Sequence, residues 1–358
     1  MIILSPTQRQ SSIMFRKIRS LLKHPFVYKR IVSESQTMIT FDNGSEIHSL
    51  PGNNPDTVRG FSPTKAIVDE AAFVKDDLFT ALEPSLAATN GDLELYSSPF
   101  GKRGRFYQSF SEDSFETYHV KSNESPLITE EFLQGMRQSK TNLEFLQEFE
   151  GEFLDEQDTY FSRELILDCI GEIEERHGPR DHAEYYLGVD CARYGLDETV
   201  YTIAELNHLG QVEIIFIKST QKMPITDIIG RVQAFNQKWD FKAVYIDESG
   251  LGAGAVDSLK QRGIRVMSLD NQAGGVQFTL PNKEYLYKNL KLLMEQRKIK
   301  FPKMDKLINQ LSDLQYEFTE AGHTKIHHPD NGHDDFPDSL ALSVAGIGKK
   351  NYRPHISL

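Results

Sequence analysis

Long apolar runs are missing from this 358-residue sequence. No stretch approaches the roughly 20 consecutive apolar residues that a membrane-spanning helix needs. The first residues lack a basic segment followed by an apolar core and a cleavage site. Cysteine is nearly absent: Cys169 and Cys191 stand alone, form no zinc-type pair and fit a reducing compartment. There is no internal repeat and no low-complexity tract. Positive charge is in deficit, with 40 Lys and Arg against 52 Asp and Glu and a formal net charge of −12. That balance excludes a generally basic nucleic-acid coat. It leaves room for a local phosphate-binding patch beside an acidic centre offset by cations. A soluble intracellular protein is expected.

What is present is a globular composition, 39% hydrophobic and 26% charged, in a chain long enough for two domains with cores. Strand-like segments are Met1–Ser5, Lys29–Val32, Thr37–Phe41, Glu46–Leu50, Lys65–Asp69 and Leu93–Tyr96. Helix-like segments at Pro6–Leu22 and Asp76–Ala88 alternate with them, which predicts an α/β layer with a parallel sheet. Glu130–Phe153 is helical in pattern apart from a loop-like middle, and the acidic, mixed stretch that follows reads as a linker. A second alternating region begins at Glu184 with a hairpin, Glu184–Asp190 and Thr199–Ile203. It continues with a strand at Gln211–Ile217, a helix from Pro224, a strand at Lys242–Asp247 and a helix at Gly252–Arg262. A strand at Ile264–Ser268 and helices at Asn282–Arg297 and Pro337–Ile347 complete it.

Carboxylates fall at element ends in three places of this second region. Asp190 closes an apolar strand, Asp197 lies just past the following turn, and Asp247 closes another strand ahead of the glycine-rich Glu248–Gly254. Asp334, Asp335 and Asp338 stand at the start of the last helix, where Pro337 suits the first turn. Several carboxylates on rigid elements suit two hard cations about 3.5–4 Å apart, the arrangement that cleaves phosphodiesters. Helix capping or a solvated turn accounts for any one of these residues, but hardly for all three segments together. Four histidines, His323, His327, His328 and His333, lack accompanying cysteines, so a separate zinc site is not expected. The basic run Lys102-Arg103-Gly-Arg105 reads equally well as a phosphate contact and as a solvated helix start.

Gly188-Val-Asp190, Tyr245-Ile-Asp247-Glu-Ser-Gly-Leu-Gly and Gly332-His-Asp-Asp-Phe-Pro-Asp-Ser-Leu-Ala-Leu resemble the RNase H-like nuclease of viral DNA-packaging terminase large subunits. In the first half, Ala66-Ile-Val-Asp69-Glu70-Ala-Ala resembles the Walker B strand of the terminase motor. Leu95-Tyr-Ser97-Ser98-Pro99 resembles its coupling motif, and Ile3-Leu-Ser-Pro-Thr-Gln-Arg-Gln the segment that follows Walker A. The resemblance covers nearly the whole chain. It implies an α/β fold in which a partial P-loop-type ATPase sheet domain (1–152) precedes a linker (153–182), a nuclease domain with a mixed sheet flanked by helices (183–349) and a tail (350–358). By the same resemblance Asp69 holds magnesium near ATP, Glu70 polarises water, and Ser97 and Ser98 sense the hydrolysis state. Asp190 bridges two Mg²⁺ or Mn²⁺ ions, with Asp247 and Asp335 completing the shell. Asp334 and Asp338 are alternative ligands and Asp197 an accessory one. The implied partners are double-stranded DNA, the portal protein and the small terminase subunit, with no membrane, in the host cytoplasm.

One departure is plain: Gly-x-x-x-x-Gly-Lys-Ser/Thr, the loop whose amides and lysine hold nucleotide phosphates, does not occur in these residues. An N-terminally truncated terminase large subunit is therefore expected, with ATP bound only if the missing segment is supplied. Two other readings remain open. One is another RNase H-like nuclease of the Holliday-junction resolvase type, and the other a non-catalytic assembly protein that binds DNA or portal.

Overall fold

The computed structural model describes residues 1–154, 159–174, 176–191, 198–249, 252–319, 322–329 and 332–347. Asp197 and the 350–358 tail lie outside them. The chain divides into two units, Met1–Glu130 with Leu143–Glu156 and Glu320–Gly322, and Glu131–Asn142 with Gln157–Thr319 and His323–Leu358. Among the described residues no helix is long and apolar enough to cross a membrane.

The first unit is a six-stranded mixed sheet. Its strands are β1 (Ile2–Ser5), β2 (Ile31–Glu34), β3 (Met38–Phe41), β4 (Glu46–Pro51), β5 (Lys65–Asp69) and β6 (Asp92–Tyr96), in the order β2-β3-β4-β1-β5-β6. The four strands β4, β1, β5 and β6 run parallel, while β3 and β2 continue antiparallel to the open edge. Helix α1 (Gln8–Leu21) starts at Thr7, whose side chain accepts from the Gln10 amide and so satisfies one of the orphan donors of the first turn. Phe15 of this helix packs with Ile3, Ile39 and Ile47. The other helices of the unit are α2 (Pro25–Tyr28), α3 (Asp76–Ala87) and α4 (Gly104–Ser109). On the opposite core, Leu78, Phe79 and Leu82 of α3 close over Ala66 and Val68. The strand expected at Lys29–Val32 sits two residues later, because α2 and the turn after it use up Lys29 and Arg30.

Two helices, α5 (Glu130–Ser139) and α6 (Asn142–Glu148), follow. The break between them is the loop-like middle seen in the sequence. From residue 157 the expected linker groups with the second unit. It forms α7 (Arg163–Asp168), capped by Ser162, and Tyr160 and Phe161 are fully enclosed. The missed sign was the pair of apolar groups, Tyr160-Phe161 and Leu165-Ile166-Leu167, spaced so that Ile166 of α7 is buried as well.

The second unit carries a five-stranded mixed sheet of β7 (Glu184–Asp190), β8 (Glu198–Leu206), β9 (Val212–Gln221), β10 (Ala243–Ile246) and β11 (Ile299–Lys300), in the order β10-β7-β8-β9-β11. β7, β8 and β9 form an antiparallel meander, and β10 runs parallel to β7. Helices α8 (Ile225–Trp239) and α9 (Gly252–Gln261) cover one face, where Ile228, Val232, Ala255 and Leu259 meet Leu187, Val189 and Ile246. Next in the chain are α10 (Leu280–Glu295), α11 (Asp305–Asp313), the antiparallel pair β12 (Gln315–Phe318) and β13 (Thr324–His327), and α12 (Asp335–Ser343). α12 lies across β7 and β8, with α10 beside it. The strand expected at Ile264–Ser268 reduces to single bridges such as Val244 with Val266. The β12–β13 pair escaped the sequence reading because each strand is only 4 residues long, although Gln315–Phe318 alternates polar with aromatic residues. These elements bear out the α/β architecture.

Candidate metal centre

The parallel pairing of β10 with β7 decides where the site lies. Ile246 stands opposite Val189, so Asp190 and Asp247 leave two neighbouring strands at the same end. The Asp247 amide donates to the Val189 carbonyl at 3.0 Å, which fixes the two ends together. Both are buried, at 8% and 1% exposure. Asp247 Oδ1 accepts from the Ser249 amide at 2.9 Å. Gly252 presses on the same point: a Cβ there would stand 1.7 Å from the Asp247 carbonyl oxygen. This close approach gives the glycine-rich stretch after Asp247 a structural reason.

α12 brings the third set. Gly188 makes this approach possible, since a Cβ on it would meet Ser339 O and Ser343 N at 2.3 Å. The Ser339 hydroxyl is enclosed at the crossing, 3.0 Å from the Val200 carbonyl and 2.8 Å from Thr202 Oγ1. Asp334 rather than Asp335 is the N-cap residue, and its side chain makes no capping bond. Asp335 and Asp338 lie in the first turn, as the position of Pro337 requires.

Five carboxylates act on one another here. Burial, then Asp338, Asp247, Asp335 and Asp334, hold the Asp190 carboxyl well above the ordinary carboxylate range. An ammonium group offsets them: Lys283 Nζ of α10 lies 2.5 Å from Asp334 Oδ2 and 3.2 Å from Asp338 Oδ2. One turn further on, the Tyr287 hydroxyl donates to Asp338 Oδ1 at 2.5 Å. Burial opposes the charge on Lys283, yet Asp338 and Asp334 hold its pKa above the usual lysine value. Burial likewise pushes Asp338 up, to about 7, against the lowering pull of Lys283. His328 Nε2 stands 3.8 Å from Asp334, and His333 Nδ1 stands 3.9 Å from Asp335. Sequence motifs did not single out Lys283 or Tyr287. Their signal was the four-residue spacing, which puts both on the face that carries the enclosed Leu286 and Leu290.

Among the described residues no three His, Cys, Asp or Glu side chains already close around a common point. The donor chemistry nonetheless suits hard divalent cations: the enclosed donors are carboxylate oxygens, with more negative charge than Lys283 neutralises. Asp338 has both oxygens engaged, which fits a positioning residue better than a ligand.

In the first unit, Asp69 ends β5 opposite Tyr96 of β6, so the two motif segments lie side by side. Ser97 Oγ donates to Glu70 Oε2 at 3.4 Å. Burial, then Asp69, raises the Glu70 carboxyl. Glu70 adopts φ 53°, a left-handed conformation that costs a non-glycine residue of order 1 kcal/mol or more and concentrates at functional positions. Ser98 follows Ser97 in the loop after β6. Arg105 of the basic run is committed within the unit, 2.6 Å from Glu83 and 2.8 Å from Glu112, and Arg103 lies over the Phe100 ring at 5.5 Å. The stretch does start a helix, with Arg103 at the N-cap of α4 and Lys102 exposed, while Arg103 and Arg105 are tied into their own surroundings.

Comparison with known proteins agrees with the motifs. A family model described as terminase large subunit, T4likevirus-type, N-terminal, matches residues 1–168. The large terminase subunits of Thermus virus P23-45 and Thermus phage G20c are each 26% identical over 338 residues, covering 86% of this chain and 67% of each relative. In three dimensions the large terminase of another thermophilic bacteriophage matches over 97% of this chain and 85% of its own, at 14% identity and a TM-score of 0.54, which speaks for the fold. The resemblance to phage terminase large subunits that the motifs carry is thereby borne out, and it reaches into both units.

Proposed function

We propose that the second unit is a divalent-metal-dependent endonuclease that cuts concatemeric double-stranded DNA during packaging. The observation that carries this is the burial of Asp190 and Asp247 at adjacent strand ends, where burial and then the α12 carboxylates hold Asp190 high and Lys283 offsets the charge. Asp190, Asp247 and Asp335 would hold the cations. When bound, such ions supply an activated water and stabilise the leaving oxygen. Tyr287 and Lys283 hold Asp338 and Asp334 in place, which keeps the negative charge oriented before substrate arrives.

Asp69, Glu70, Ser97 and Ser98 would serve nucleotide in the first unit, with the phosphate-holding loop supplied from outside these residues. The partners in this reading are DNA, the portal protein and the small terminase subunit, in the host cytoplasm. Incubation of the protein with supercoiled plasmid in Mg²⁺, Mn²⁺ or EDTA tests the reading. Nicking and linearisation in either metal and none in EDTA are expected. Failure of the folded protein to cut in any metal would favour the binding-only alternative. Selective cutting of four-way junctions would favour the resolvase alternative.

A further inference from the structure

A cleft of about 730 Å³ opens in the second unit immediately beyond Asp247. Its floor is tied to the strand that carries this aspartate. The Val276 amide donates to the Ile246 carbonyl and the Glu248 amide to the Val276 carbonyl, each at 2.8 Å. Asp247 and Val276 thus form a parallel bridge, and the two residues ahead of Val276 are bare backbone. Gly275 fits only without a side chain: a Cβ there would meet Glu248 Cβ at 2.7 Å and Val256 Cγ2 at 2.8 Å. Gly274 has the opposite setting. A Cβ on it would meet nothing within 4 Å, and its φ does not lie in the left-handed region. The walls come from α9 through Lys260 and from α10 through Asn282 and Tyr285. Tyr285 leaves 36% of its surface exposed, two residues along α10 from the Lys283 that meets Asp334 and Asp338.

The lining decides what fits. Glu248 and Asp270 outweigh Lys260 in charge, so a phosphate gains little inside the cleft. The carboxamides of Gln272, Gln277 and Asn282 bring donors and acceptors together, which complements the edge of a base. A tyrosine ring beside bare glycine backbone suits a flat aromatic ligand, and the volume falls in the range of small-ligand sites. We propose that this cleft receives one nucleobase of the DNA strand held at the carboxylate centre, turned out of its stack, and so gives cleavage a base preference at one fixed distance from the cut. The preference rests on the reading of this unit as a nuclease; occupancy of the cleft rests only on its binding DNA. Unstacking costs least in an unpaired strand, so a single strand should fill the cleft more readily than a duplex.

Photocrosslinking tests this on the full chain, with single-stranded and duplex DNA that carry iododeoxyuridine, in EDTA and again in Ca²⁺. Mass spectrometry should place the crosslink at Tyr285, in higher yield from the single strand. Gly274→Phe, for which the open space has room, should keep the wild-type melting temperature. It should lower that yield at least about fivefold, the smaller end of what one stacked base contributes. Tyr285→Phe keeps the ring and should crosslink as wild type does. Sequenced ends of plasmid cut in Mn²⁺ should show a base preference at one position, which Gly274→Phe and Tyr285→Ala flatten while cutting continues. If Gly274→Phe misfolds, Asn282→Ala and Tyr285→Ala carry the same test. Crosslinks elsewhere in the second unit with Tyr285 untouched would overturn the proposal and leave the nuclease reading in place. A Tyr285 crosslink on a protein that cuts in no metal would uphold the base site and overturn the nuclease reading. Binding of free deoxyadenosine monophosphate in the cleft, with strand crosslinks unaffected by the variants, would overturn the proposal in favour of a free nucleotide.

Discussion

Lys283 holds Asp338 by an ion pair of 3.2 Å while Tyr287 takes the other oxygen of the same carboxylate. A buried charge whose partner is removed costs about 3–5 kcal/mol. Lys283→Met should therefore destabilise the protein by several kcal/mol in EDTA. Millimolar Mn²⁺ should restore more stability to the variant than it adds to wild type, as read from thermal melts. Equal metal responses would deny that Lys283 offsets charge at the cation site.

Burial raises Asp190 and Asp338, the latter from 3.8 to about 7. The folded protein thus keeps a proton that the unfolded chain releases, so stability is fully present below about pH 4 on this account and falls as pH rises towards about 7. Melting temperature in EDTA should drop across that window. Asp338→Asn should flatten the drop. Divalent metal should stabilise more at pH 8 than at pH 6, because the cation competes with protons.

Two glycines set the placement of the carboxylates, and each is predicted to resist a methyl group. Gly188→Ala drives a Cβ into the α12 backbone and Gly252→Ala drives one into the Asp247 carbonyl. Overpacking of this kind costs typically about 1–3 kcal/mol, and backbone obstacles place these at the upper end or above. Denaturant unfolding should show the loss. Any folded Gly252→Ala protein should cut DNA poorly, because Asp247 has moved.

On the proposed reading Asp69 and Glu70 would serve nucleotide, but no phosphate-holding loop occurs in these residues. ATP turnover by the purified chain should match that of Glu70→Gln. Turnover clearly above the variant would mean that other residues hold the phosphates.

Much of this arrangement was legible because it depends on local patterns. Lys65–Asp69 and Glu184–Asp190 form strands at the predicted residues, since apolar runs that stop on a carboxylate mark both the element and its end. Asp190 and Asp247 were legible as strand ends for the same reason, and the parallel step of β10 with β7 joins them. What stayed hidden depends on distant partners. Lys283 meets Asp334 across 51 residues, and a helix pattern shows that a lysine shares the buried face but not what it meets there. Tyr160 and Phe161 read as linker because the enclosing α10 and β12 come more than a hundred residues later.

The most direct measurement is plasmid cleavage in Mn²⁺ by Asp190→Asn and Asp247→Asn beside wild type, with DNA binding measured on the same folded preparations. The account predicts cutting by wild type, its loss in both variants, and binding retained in all three. Undiminished cutting by either variant would contradict it, and so would a wild type that binds DNA and leaves it intact.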